Sequence, residues 1–218
     1  MDALIVFARA PQPGAAKTRL TPGLGLTGAH RLYAALFEDT LALAERVPAE
    51  RRLLSLAGSA DGLRLSPGWA LALQPELSFG ARMAWSFAEA FARGATRCVL
   101  IGADAPHLEP QWIAAAFAAL DANDVALGPT HDGGYYLLGL REPSPWLFDG
   151  VCWSTPSVFE ETIRLVDERG LRCHVLPEEF DVDTIEEAQR LHELLRPEPE
   201  RAPETARVLD DVLRRLSA

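Results

Sequence analysis

The stretch TRCVLIGADAPHL, residues 96–108, decides the fold. Its first eight residues are a short, nearly unbroken apolar run, which reads as a strand buried on both faces. Asp104 follows at once, and Pro106 stiffens the turn that carries it. A strand buried on both faces suits a mainly parallel sheet, where ligands bind beyond the carboxyl ends of the strands. Upstream, ALIVFAR (3–9), RRLLSLAG (51–58) and WALALQ (69–74) read as strands, and helical spacing runs over Leu26–Val47 and over 79–93, with 10–25 as loop. Downstream come a helix over 110–121, strands at 123–129 and 135–140 around the turn His131–Gly134, a helix over 155–169, a strand at 171–177 and a helix over Thr184–Leu195.

Strands that alternate with helices of this length predict an α/β three-layer sandwich with a mostly parallel mixed sheet. The pair around Asp132–Gly134 supplies one antiparallel member. Residues 196–204, RPEPERAPE, read as a linker. Val208, Leu209, Val212, Leu213 and Leu216 form one stripe on a final helix, which should dock on the domain. The expected organisation is one domain over 1–195, followed by a linker and docked helix over 196–218.

With 21 Lys plus Arg against 31 Asp plus Glu, the chain of 218 residues carries a net charge of −10. That balance argues against duplex nucleic acid and anionic membranes as partners. No apolar run is long enough to span a bilayer, so no membrane insertion is expected. The N-terminus, MDALIVFARAPQ, lacks the basic region of a secretory signal. Cys98, Cys152 and Cys173 are odd in number and show no C-x-x-C spacing, which excludes a disulfide framework and a zinc site. They are expected in the core of a cytoplasmic protein, and the Trp residues other than Trp153 are expected there too.

Two motif matches fail on context. Gly23-Leu24-Gly25-Leu26-Thr27-Gly28 fits G-x-G-x-x-G, but the first strand ends near Arg9, too far upstream for a dinucleotide fingerprint. Pro13-Gly14-Ala15-Ala16-Lys17-Thr18 evokes a P-loop, yet Pro11 and Ala16 stand where its two glycines are needed to wrap phosphates.

The convincing signal is one of charge. Residues 3–37 hold no Asp or Glu, although roughly five are expected from the overall frequency. The same stretch carries Arg9, Lys17, Arg19 and Arg31, and Gly14 with its flanking Pro residues shapes the loop. Lys supplies a point charge for phosphate and Arg a planar fork for two oxygens, so a polyphosphate ligand fits. Asp104 is sited to hold a hard cation, since Mg²⁺ takes one or two carboxylates plus substrate phosphates. In Asp181-Val182-Asp183-Thr184, one carboxylate can point into the site while the other, or Thr184, caps the following helix; Asp183 is the metal candidate. Asp132 is a turn residue that also offers a carboxylate to a ligand, His131 beside it carries no strong signal, and Arg82 at a helix start can reach phosphate. Trp153, Ser154 and Thr155 precede Pro156 as a helix start, with Trp153 and Ser154 open to an acceptor role.

FARAPQPGAAKTRL (7–20), LIGADAPHL (100–108), LGPTHDGGYYLLGL (127–140), WSTPSVF (153–159) and FDVDTIEEAQRL (180–191), in this order, resemble the bacterial DUF2064 family over nearly the whole chain to about residue 195. A looser similarity is to 2-phospho-lactate guanylyltransferase and the molybdenum-cofactor nucleotidyltransferases. The resemblance implies a Rossmann-related GT-A (nucleotide-diphospho-sugar transferase) fold and a transferase that uses a nucleotide-activated donor. It implies that the loop with Lys17 and Arg19 holds the nucleotide phosphates, that Asp104 and Asp183 bind Mg²⁺ or Mn²⁺, and that Gly133 and Gly134 line the acceptor or sugar side. Partners would then be a nucleotide-sugar or an NTP with a small-molecule acceptor. Glycosyl transfer would need a general base, for which Asp132 is the candidate. The chain departs from its relatives at Ser78, where many carry Asp, and at Ala105 and His107, where they often carry Cys and Asp. Pro106 leaves the Asp-x-Asp of many glycosyltransferases incomplete, which keeps nucleotidyl transfer with pyrophosphate release as the alternative. A binding module without activity is the third reading.

Overall fold

The computed structural model describes residues 1–14 and 16–216. Seven strands form a single sheet in the order β3-β2-β1-β4-β6-β5-β7. They are β1 (Asp2–Arg9), β2 (Arg51–Ala57), β3 (Trp69–Leu73), β4 (Arg97–Gly102), β5 (Val125–Pro129), β6 (Tyr135–Leu140) and β7 (Cys173–Val175). All neighbours are parallel except around β6, which runs antiparallel to both β4 and β5. Leu4, Ile5 and Val6 of β1 and Cys98, Val99 and Ile101 of β4 are fully buried, because central strands of a parallel sheet are covered on both faces.

Six helices complete the layers: α1 (Thr21–Arg46), α2 (Phe79–Ala92), α3 (Pro110–Ala119), α4 (Val158–Asp167), α5 (Ile185–Leu195) and α6 (Pro203–Arg214). One face of the sheet packs Phe37 and Leu43 of α1 with Ile113 and Phe117 of α3. The other packs Met83 and Phe87 of α2, Val166 of α4 and Phe148 of a short 3-10 turn. A third apolar cluster joins α1, α5 and α6 through Leu32, Leu36, Leu191, Val208 and Leu209, and takes in Phe180 and Val182. Asp39 of α1, 3 % exposed, accepts hydrogen bonds from the backbone N–H groups of Thr205 (2.7 Å) and Glu204 (3.4 Å). It caps α6 from outside the helix and satisfies donors that a helix start leaves free.

Several boundaries differ from the sequence expectation. The loop expected over 10–25 ends in a 3-10 turn at Thr18–Leu20, and α1 begins at Thr21 with a kink at Gly25 (φ 68°). The glycines of the rejected dinucleotide pattern therefore lie within α1, where Gly23 abuts Ile185 and Gly28 abuts Leu24. The helix expected from residue 155 starts at Val158, because Ser154 adopts positive φ (64°) and holds the chain out of helix. The expected linker contains a 3-10 turn at Pro199–Arg201, and Arg201 donates to the carbonyl of His107 at 2.7 Å. Cys98 is buried, but Cys152 is exposed and Cys173 half-buried, so only one cysteine belongs to the core. The remaining Trp residues are half-buried rather than enclosed. Leu216 ends the stripe of α6 at 48 % exposure, beyond the packed part of the helix.

Candidate active site

The parallel strands deliver their carboxyl ends to one edge. Phe7 of β1 pairs with Gly102 of β4, and the reversed β6 begins at that same edge through the Pro129–Tyr135 pairing. Above it opens a cleft of about 830 Å³, within the usual size of small-molecule sites. Its lining comes from the segments that follow the carboxyl ends of the strands and from the start of α2: Arg9, Lys17, Thr18, Arg19, Phe79, Arg82, Asp104, Thr130, Asp132, Asp181 and Asp183 are among it.

At one end of the cleft is a compact charge cluster. Lys17, the only lysine in the chain, has a side chain just 6 % exposed. Its Nζ donates to Asp104 Oδ2 at 2.9 Å and to Asp183 Oδ1 at 2.5 Å. Burial alone would lower its pKa, but the charges of Asp104 and Asp183 outweigh burial and raise it, so the amine stays an ammonium. Lys17 reaches this position from a left-handed backbone (φ 55°), a conformation that costs a non-glycine residue about 1–2 kcal/mol. Arg19, more exposed, lies 3.6 Å from Asp183 Oδ2.

Asp181 is the third member; the sequence reading expected one of Asp181 and Asp183 in the site and singled out Asp183 for the metal, whereas both carboxylates reach it. Carboxylate oxygens of Asp104, Asp181 and Asp183 all approach within 4.8 Å of one another. The two stand two residues apart in the sequence, and both line the cleft. Burial, then the charge of Asp104, pushes the Asp181 carboxyl up to about 7. Three carboxylates with one ammonium between them carry an excess of negative charge. The donor set is all oxygen and the ammonium already stands in for a cation, which fits a hard divalent ion.

The local framework explains how the acids converge. A Cβ at residue 102 would lie 2.5 Å from Asp104 Oδ1, so glycine there lets the Asp104 carboxylate fold back over the strand end. Val182 N–H donates to the Asp104 carbonyl at 3.1 Å and ties the two acidic loops together. Phe180 is sandwiched between the His107 ring (4.2 Å) and the Arg190 guanidinium (4.1 Å). Thr184 caps α5 in a reciprocal capping box with Glu187, which frees both Asp181 and Asp183 from capping duty. Tyr33 of α1, missed by the sequence reading, both accepts from Arg9 N–H (3.1 Å) and donates to Arg9 C=O (2.9 Å), pinning the end of β1.

The other end is aromatic. Phe79 packs at 5.1 Å from Trp153 and 5.6 Å from Phe7, and Tyr135 lies 6.4 Å from Trp153. Trp153 and Ser154 line the cleft. Asp132 lines it too, but its Oδ1 is engaged by the Thr130 hydroxyl (2.5 Å) and the Gly134 N–H (3.1 Å), the geometry of a turn. Gly134 faces the cleft, whereas Gly133 does not. A Cβ on Gly133 would come 2.0 Å from the Pro156 carbonyl oxygen, so its place is to seat the hairpin against the 153–158 segment. Gly14, at φ 76°, turns the exposed loop before Lys17 and is not part of the lining.

The chain thus combines an open α/β sheet with one reversed strand, a basic loop after β1 and acids after β4. Residues 31–155, more than half of the sequence, match the family described as "uncharacterized protein conserved in bacteria (DUF2064)", and the chain belongs to that family. A crystal structure from Desulfovibrio desulfuricans G20, provisionally described as a nucleotide-diphospho-sugar transferase, is 30% identical. It superposes with a TM-score of 0.86 over 99% of this chain and 97% of that one. Rv0371c from Mycobacterium tuberculosis H37Rv, crystallised with manganese, shares the fold at a TM-score of 0.54, with 19% identity over 87% of this chain and 97% of its own. CMP:2-keto-3-deoxy-manno-octonic acid synthetase complexed with CTP does so at 0.54, with 13% identity over 91% of this chain and 100% of its own. No curated protein sequence matches the chain. Among the described residues, no helix is long and apolar enough to cross a membrane.

Proposed function

We propose that this protein is a divalent-cation-dependent transferase that takes a nucleotide-activated donor, with a nucleotide-sugar as donor and a small molecule as acceptor. The observation that carries the reading is the meeting of Lys17 with Asp104 and Asp183 across one cleft, at 2.9 and 2.5 Å. In this reading Asp104, Asp181 and Asp183 hold Mg²⁺ or Mn²⁺, and the manganese complex of the M. tuberculosis relative is consistent with that choice. When bound, the cation neutralises charge growing on the departing phosphate. Lys17 and Arg19 flank the same carboxylates and meet the donor's phosphates, while Arg9 extends the positive wall. Trp153, Ser154 and Gly134 border the acceptor, and Asp132, the lining carboxylate outside the acid cluster, is the candidate for proton removal.

Nucleotidyl transfer is the second reading, favoured by two features. Four cations line the cleft, which suits a triphosphate, and Pro106 removes the second acid of an Asp-x-Asp pair. The CTP complex of the synthetase noted above points the same way. Calorimetry with Mg²⁺ or Mn²⁺ tests both readings, since binding of neither a nucleotide-sugar nor an NTP at millimolar concentration excludes them together. The product then separates them, nucleoside diphosphate for the first and pyrophosphate for the second.

A further inference from the structure

The cations of the cleft are not equivalent. Lys17 and Arg19 are already paired with carboxylates. Arg9 and Arg82 have no ion pair among the described residues, in a chain whose net charge is −10. They lie close enough that Arg9, after burial, lowers the pKa of Arg82. Two guanidinium groups that line one cleft without an acid partner form a place of positive potential that an anion relieves.

Arg82 is also poorly satisfied. Its Nη1 donates to Gln74 Oε1 at 3.0 Å, but its Nε is buried with no partner. Gln74 cannot serve a ligand instead, because its amide nitrogen donates to the Ser55 carbonyl at 2.8 Å and its oxygen receives Arg82. The pair therefore presents donors only, so a partner there must bring acceptor oxygens. The guanidinium of Arg82 sits 5.8 Å from the ring centroids of both Phe7 and Phe79. Phe79 keeps 44 % of its surface exposed, beside Trp153, so a flat apolar face waits next to the unpaired charge.

We infer that Arg9 and Arg82, backed by Phe79 and Trp153, form an oxyanion subsite that binds a flat ring bearing a phosphate or carboxylate, independently of the acid cluster. This rests on reading the cleft as a substrate site, but not on a metal. Gln74 is the positioning residue, holding Arg82 by one edge and leaving the remaining N–H groups for the oxyanion. Two sources share this chemistry: the base and phosphate of the donor, or an aromatic acid as acceptor.

The test uses the whole protein in EDTA, with phenyl phosphate, benzoate and inorganic phosphate as probes, read by calorimetry and by tryptophan fluorescence. Phenyl phosphate should bind at least about tenfold more tightly than inorganic phosphate and should change the fluorescence through Trp153. Arg82→Gln should weaken it by about tenfold or more and Arg82→Lys by less. Circular dichroism confirms that each variant is folded. Equal affinity for phenyl phosphate and inorganic phosphate, or full affinity in folded Arg82→Gln, overturns the inference. Competition by nucleoside monophosphates assigns the subsite to the donor, and simultaneous binding assigns it to the acceptor; either result keeps the subsite. Since no cation is present, failure here leaves the metal-dependent reading standing, and loss of metal-dependent nucleotide binding leaves this one standing.

Discussion

The two ends of the cleft are built on opposite principles. At the acidic end the cation is already engaged by carboxylates: Lys17 sits 2.9 and 2.5 Å from Asp104 and Asp183. At the aromatic end a guanidinium has a single side-chain acceptor, Gln74, and a bare ring face beside it. A ligand entering the first must displace contacts that exist, so only a strong charge gains there. At the second end the guanidinium still holds N–H groups without an acceptor, which an entering oxyanion can engage without displacing an ion pair. In the proposed reading one end selects by charge density and the other by shape and acceptor oxygens.

The largest effect expected from breaking this contrast is at Asp104. Asp104→Asn should lower metal-dependent turnover by about 10²–10³-fold or more while circular dichroism stays native, because charge stabilisation at the leaving group is lost. Unchanged turnover would remove Asp104 from the chemistry. Next comes Lys17→Met, which strips the acids of their internal counter-ion. Stability in urea without divalent cations should fall by about 2–4 kcal/mol, somewhat below the range for a fully buried pair, since both carboxylates are about a third exposed. Added Mn²⁺ should restore most of that loss and should bind this variant more tightly than the parent in the absence of nucleotide.

Gly133→Ala tests the junction between the ends, where the hairpin bearing Asp132 meets the segment bearing Trp153. With φ at 87° and the Pro156 carbonyl in the way, it should cost about 2 kcal/mol in thermal or urea unfolding, against about 1 kcal/mol for Gly14→Ala, which strains φ but meets nothing. Equal losses would mean that the junction carries no packing. The smallest effect is pH. The Asp181 carboxyl is raised to about 7, so the folded state holds that proton more tightly than the unfolded chain does. Its contribution to stability is complete at acid pH and is lost as pH rises through about 7. A divalent cation needs the cluster deprotonated, so its affinity should climb by about tenfold per pH unit below 7 and level off above. Melting temperatures with and without Mg²⁺ across that range measure it; a flat difference would detach Asp181 from the cation.

Much of this was legible from residues 96–108 outward, because buried strands write their apolar runs plainly and helices their period. The pairing of Lys17 with Asp104 followed from topology, since both follow strands that end at one edge of the sheet. What escaped depends on contacts distant in sequence. Tyr33 lies mid-helix, and only the tertiary structure sets its hydroxyl on Arg9. The unsatisfied state of Arg82 depends on Gln74 being consumed by Ser55, which no local pattern records. The late start of α4 turns on one left-handed residue, Ser154, that is not the glycine a reader looks for. Gly133 resembled a ligand-facing glycine, whereas its neighbour is the protein's own backbone at Pro156.

Asp39 and α6 lie far from any reacting atom, yet they reach the chemistry mechanically. The apolar cluster under α6 contains Phe180 and Val182, the residues on either side of Asp181. Val182 in turn is hydrogen-bonded to the Asp104 carbonyl. A protein cut short before residue 203 would keep every charged group of the cleft and lose the buttress that aims three of them. The tail of the chain works as a clamp, and its grip sets how closely like charges can be forced together.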